Sequence, residues 1–158
     1  DFVLQQPDYF KAYDEDKVKK VHALLVERLD VHEDYRNHPV GIGGSLYRPP
    51  AKAKEITEAM HRLTDLIKRQ QSAYDKAFLC LALIAYIQPF EDGNKRTSRI
   101  VSNAILYAHE CAMLSYRDVA VSEYKKAALL FYEQNNVQYL KQIFMDQFLF
   151  STRNYFAT

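Results

Sequence analysis

A chain of 158 residues, 48% hydrophobic and 26% charged, carries enough apolar side chain to bury one ordinary core. Twenty-one Lys and Arg against 20 Asp and Glu leave a net charge of +1, which argues against a general nucleic-acid binder with a dominant basic stripe. No run of about 18 apolar residues occurs, so no helical membrane span is expected.

Residues 1–13 have no clear period and read as a lead-in. Asp14 is placed to cap a helix reaching to about Leu29, with Val18, Val21, Leu24, Leu25 and Leu29 on one face. After the turn-rich stretch 34–39, the segment Val40, Gly41, Ile42, Gly43, Gly44, Ser45, Leu46 and Tyr47 interleaves glycine with β-branched and aromatic residues. Its pattern predicts a short β-hairpin or flap, closed by Pro49-Pro50, which also opens the next helix.

That helix is expected over roughly 51–70, with Ile56, Met60, Leu63 and Ile67 inward. Residues 73–87 are apolar almost all round, as suits the middle of a bundle, and Pro89 is expected to end that helix with Gln88 extended. Helices over Asn94 to about Glu110, 119–135 and 137–152 complete an all-α bundle of about six helices. No repeat, low-complexity tract or linker divides it, so 1–158 reads as one domain with 1–34 as lead-in and first helix. The chain opens on Asp1 without a leader pattern, as an excised domain would. Cys80 and Cys111 lie in apolar helical settings and suggest free thiols in a reducing, cytoplasmic compartment.

Chemistry concentrates in Gln88-Pro-Phe-Glu-Asp-Gly-Asn-Lys-Arg-Thr-Ser-Arg99, between two core helices. A helix beginning at Asn94 or Lys95 leaves its first N–H groups without intrahelical partners, which favours an anion there. Asp92 would repel phosphate unless a hydrated Mg²⁺ lay between them. Arg96 and Arg99, three apart, add two cations on nearly one face. Each piece alone is ordinary; their order after a buried helix outlines a triphosphate site.

The stretch resembles the signature of the Fic family, His-x-Phe-x-(Asp/Glu)-Gly-Asn-Gly-Arg-x-x-Arg. Phe90, Asp92, Gly93, Asn94, Arg96 and Arg99 match it, and residues 40–47 resemble the family's target-aligning flap. The resemblance covers about 35–150 as the core. It implies transfer of AMP from ATP to a protein hydroxyl, with the protein target docked on the flap. On that scheme position 88 deprotonates the hydroxyl and Phe90 is a buried anchor. Asp92 holds Mg²⁺. Gly93, Asn94 and Lys95 stabilise the α-phosphate, while Arg96 and Arg99 hold the outer phosphates.

Two positions depart from the signature. Lys95 replaces the second glycine and resembles the Doc subgroup, whose members phosphorylate a translation factor with ATP bound in a flipped orientation. Gln88 replaces the histidine, and an amide has no usable basicity. Losing a general base costs about 10²–10⁴ in rate. Glu91 is the nearby carboxylate that would replace it if it faced inward. Otherwise Gln88 marks a naturally encoded binding module without turnover, a deliberate substitution that traps a complex, or chemistry needing no base.

Many relatives carry an inhibitory helix, (Ser/Thr)-x-x-x-Glu-(Gly/Asn), and no such pattern occurs here. Restraint would then come from a partner or another domain, or an impaired site needs none. His22, His32, His38, His61 and His109 form no zinc-ligand spacing, and His61 and His109 are expected in solvent. Tyr35 and Tyr47 read as packing residues before partner contacts.

Overall fold

The computed structural model describes residues 2–155. Among them are seven helices and no strand: α1 (Phe2–Gln5), α2 (Glu15–Val26), α3 (Ala53–Lys68), α4 (Ala73–Ile87), α5 (Asn94–Ala108), α6 (Val121–Gln134) and α7 (Gln138–Tyr155). The bundle is all-α, as expected, with a four-residue turn of helix added inside the lead-in. None of the helices is long and apolar enough to cross a membrane.

Helix α4 runs through the middle. Ser72 caps its first turn through Tyr74 N at 3.2 Å and Asp75 N at 3.5 Å. Ala77, Cys80, Leu81, Ile84 and Ile87 vanish into a core shared with α2, α3 and α5. Each fully buried Leu or Ile there stabilises by about 1.5–3 kcal/mol relative to exposure. Helix α3 presents Ile56, Met60, Leu63 and Ile67 to α4, the four residues its spacing predicted. Its start differs. The helix begins at Ala53, where Glu55 accepts from Ala51 N and Lys52 N, so the Pro49-Pro50 pair belongs to the entry loop.

Helix α2 also differs from expectation. Asp14 accepts from Asp16 N at 2.8 Å and caps it, yet the helix stops at Val26 and buries Val18, Val21, His22 and Val26. Leu24 and Leu29 are exposed, because a 3.6-residue turn carries Leu24 off the face and Leu29 lies beyond the helix.

The largest correction concerns residues 40–47, which form no hairpin. Ser45 N donates to Ile42 O at 3.0 Å across a turn in which Gly44 takes φ 80°. Helix α6 and the segment's own side chains then satisfy the backbone in place of a second strand. Leu46 N and Ser45 Oγ both donate to Glu133 Oε1, at 2.9 and 2.8 Å, and Tyr47 N donates to Ser45 Oγ at 3.1 Å. Beneath, the Tyr47 ring stacks on Tyr86 at 4.3 Å and its hydroxyl donates to Tyr86 O. The flap is a loop pinned to α4 and α6.

Candidate functional site

The motif loop joins α4 to α5, and its shape starts at Gln88. This residue ends α4 in the left-handed region, φ 53° and ψ 57°, where proline at 89 predicted an extended backbone. Contacts on every side outweigh the local preference. Gln88 N donates to Ile84 O at 3.0 Å, and its side-chain Nε2 donates to Ala85 O at 2.6 Å. Arg36 Nε donates to Gln88 O at 2.7 Å.

Arg36 is the clamp on this corner. Only 2% exposed, it also donates to His38 O and Pro50 O at 2.6 Å each, and its backbone N–H reaches Pro89 O at 2.9 Å. No carboxylate stands among these partners. Burial therefore lowers its pKa, while the C-terminal carbonyls of α4 favour the cation. One guanidinium so ties the flap's root, the entry to α3 and the end of α4 together.

The interior of the loop is an amide network. Asn94 Oδ1 accepts from Phe90 N and Asn94 Nδ2 donates to Phe90 O, both at 2.8 Å. The same Nδ2 donates to Gln88 Oε1 at 3.1 Å. Both ends of each amide are therefore engaged, by the loop and by the last turn of α4. Phe90, wholly buried, anchors it, with His22 stacked on its ring at 3.7 Å and Tyr35 tilted against it at 5.5 Å.

Toward solvent the loop turns charged. Asp92 Oδ1 accepts from Gly93 N at 2.6 Å, while Oδ2 stands 3.4 Å from Arg96 Nη2. Gly93 precedes α5 with φ 80°, and Lys95 and Arg96 project outward from the first turn. Together with Gln88 and Glu91 these residues form one wall of a cavity of about 360 Å³, and Val40 to Gly43 form the other. Glu91 does face this cavity, with its carboxylate 3.9 Å from His38 Nε2. Gly44 to Leu46 rest on α6 instead, and Tyr47 packs beneath.

Arg99 lies apart from the other motif residues. It lines a second cavity, also about 360 Å³, that shares Ile42, Gly43 and Lys95 with the first. Tyr116, Tyr124 and Tyr132 give it aromatic walls, and Arg117 and Lys125 add charge. No Asp or Glu lines it. Among the described residues no three His, Cys, Asp or Glu side chains gather as a metal cage. His61 is exposed, whereas His109 is half-buried at the end of α5 with Nδ1 2.9 Å from Ile105 O.

Sequence reasoning passed over His22, Arg36, Tyr124 and Glu133. His22 left a signal, a polar residue in the apolar slot of α2. The others left none, since their roles come from tertiary approach.

Three comparisons bear on this arrangement. The Fic/DOC family model matches residues 12–106. No curated protein matches the sequence. Among solved structures, the chain is similar to BepC, a VirB-translocated effector of Bartonella tribocorum with bound AMPPNP: TM-score 0.72 at 14% identity, over 92% of this chain and 81% of that one. An N-terminal Fic domain of a VirB-translocated Bep effector from Bartonella quintana, with bound ADP, gives 0.69 at 14% identity, over 92% and 80%. Fic-1 from C. elegans gives 0.70 at 17% identity, over 98% of this chain and 47% of that one. Identities this low speak for the fold alone, and the family match over more than half of the sequence carries the assignment: the chain belongs to the Fic/DOC family.

Proposed function

We propose that the two joined cavities bind Mg-ATP, and that the protein transfers AMP to a hydroxyl of a protein target slowly, for want of a base. The observation that carries this reading is the start of α5, where Lys95, Arg96 and open N–H groups face the motif cavity beside Asp92. Such a helix end suits the α-phosphate. The neighbouring cavity, aromatic and lined by cations without an acid, suits the rest of a nucleotide. Relatives with bound AMPPNP and ADP lend support to a nucleotide ligand.

The donor set fits magnesium of one kind only. One exposed carboxylate, Asp92, is enough for a hydrated Mg²⁺ held mainly by substrate phosphates, and too little for a protein-built cage. Bound there, the ion would neutralise charge developing on the phosphates. Attack of the hydroxyl oxygen on the α-phosphorus breaks the bond to the β-phosphate, and pyrophosphate leaves. The hydroxyl proton needs an acceptor, and the Gln88 amide, already engaged by Ala85 O and Asn94, is none. The target docks along Val40 to Gly43, and both free cysteines suit a reducing cytoplasm.

Labelled ATP tests this. Transfer of α-label to a protein acceptor should be slow with the parent and rise by about 10²–10⁴ in Gln88→His. The Gln88–Asn94 bond also favours a second reading, a nucleotide-binding module without turnover. That reading gains if Mg-ATP binds and neither protein transfers label. Transfer of γ-label instead would point to phosphoryl transfer. Absence of Mg-ATP binding to either protein would overturn the nucleotide site itself.

A further inference from the structure

His22 stands on α2, seventy residues before the motif aspartate, and has no exposed surface. Its ring lies flat on Phe90, with centroids 3.7 Å apart and planes within 4°. Its Nε2 is 2.9 Å from the backbone oxygen of Asp92, and Nδ1 is 3.2 Å from Glu33 O. Both partners are carbonyl oxygens, which only accept, and the shorter contact assigns an N–H to Nε2 donating to Asp92 O. The approach is close. A Cβ at Gly93 would meet Leu25 Cδ2 at 3.3 Å and the His22 ring at 3.6 Å. Helix α2 is thus the floor on which the motif loop is moulded.

The Asp92–Gly93 peptide does two things at once. Its orientation aims the Asp92 side chain, whose Oδ1 is held by Gly93 N, and it sets the direction in which α5 starts. The bond to Asp92 O is a tie on that peptide from outside the motif.

We propose that His22 is a positioning residue: by stacking on Phe90 and donating to Asp92 O, it orients the Asp92 carboxylate toward the metal-nucleotide. The functional half of this inference rests on the Mg-ATP reading above, while the geometric half does not. A residue that merely fills the core would lower global stability without changing how strongly Mg²⁺ improves nucleotide binding. A positioning residue changes that ratio.

Three variants separate the roles. His22→Phe keeps a stacking ring and removes both ring nitrogens. His22→Gln places an amide N–H near the Nε2 position, whereas His22→Asn places one near Nδ1 and falls short of Asp92. Two readouts are taken on the intact chain: hydrogen exchange of the Gly93 amide without ligand, and calorimetric affinity for a non-hydrolysable ATP analogue with Mg²⁺ and with EDTA. In His22→Phe and His22→Asn, Gly93 exchange should quicken by about fivefold or more, and the Mg²⁺ enhancement should fall by a similar factor. His22→Gln should retain both.

Equal losses in His22→Gln and His22→Asn would overturn the assignment, as would parental values in His22→Asn. Should His22→Phe fail to fold, the Gln–Asn pair decides alone. Should the parent ignore Mg-ATP altogether, the nucleotide reading falls, and Gly93 exchange still decides whether His22 holds the loop.

Discussion

The guanidinium of Arg99 lies 4.6 Å from the centre of the Tyr124 ring. Tyr116 stands on it as well, at 5.3 Å. Arg99 is a motif residue by sequence, yet this bracket holds it in the aromatic cavity, leaving Lys95 and Arg96 on the phosphate side. Burial raises the Tyr124 pKa and nearby Arg99 opposes that rise.

An arginine held in the second cavity has a measurable consequence. A cation–π contact at an accessible site is worth about 0.5–1 kcal/mol. Tyr124→Leu should release Arg99 toward the outer phosphates and raise the ratio of ATP to AMP affinity by about two- to fivefold. Arg99→Ala should lower ATP affinity and spare AMP. Titration calorimetry with both nucleotides checks this, and an unchanged ratio in Tyr124→Leu would mean that the bracket does not restrain Arg99.

Gln88 carries two opposing effects that substitution can separate. Its amide satisfies Ala85 O and Asn94 inside the protein, and its backbone holds φ 53°. Gln88→Ala leaves buried partners unpaired and should destabilise by about 1–3 kcal/mol. Gln88→Gly loses the same bonds but relieves the left-handed strain. It should therefore lie above Gln88→Ala by about 1 kcal/mol. Urea midpoints of the two variants give the order, and Ala above Gly would mean that the corner is unstrained.

The contrast between what could and could not be read beforehand has a physical pattern. Helix α4 was legible down to its ends, because an almost wholly apolar run stopped by a proline admits one reading. The inward face of α3 followed from spacing alone. Misses fall where one element meets another. Pro89 predicts an extended Gln88, and the Arg36 clamp with the amide network imposes the opposite. Gly-rich residues 40–47 predict a hairpin, and Glu133, almost ninety residues away, supplies the acceptor that a second strand would have offered. In the motif the residue types were legible and their directions were not. Asn94 turns inward to Phe90 and Arg99 turns aside to Tyr124, since hydrogen-bond and ring partners lie on segments that the local pattern does not bring together.

Two glycines test how tightly the site is moulded. Gly93→Ala combines φ 80° with a Cβ 3.3 Å from Leu25 Cδ2, so a loss of about 1–3 kcal/mol is expected. Gly43, at the rim of both cavities, has open space within 4 Å of its added Cβ and no positive φ. Gly43→Ala should change stability by less than about 0.5 kcal/mol. Thermal or urea unfolding compares the pair, and equal losses would show that the α2 floor sets no such limit.

The flap's attachment is expected to depend on pH through Glu133. Its pKa is lowered, first by the Leu46 N–H and then by the Ser45 hydroxyl, both of which favour the carboxylate. A depressed pKa gives stabilisation that is present above the ordinary carboxylate range and lost as pH falls through the folded-state value. Lys125 and Lys126 stand on the same helix, and the Lys125 Nζ would lie 3.3 Å from a Cβ at Gly44. Hydrogen exchange of the Leu46 amide, corrected for intrinsic pH dependence, should lose protection on acidification below the carboxylate range. Glu133→Gln keeps an acceptor and removes the charge, so its protection should be lower at neutral pH and flat through acid. A parent whose Leu46 protection stays level across that window would show that the carboxylate does not hold the flap.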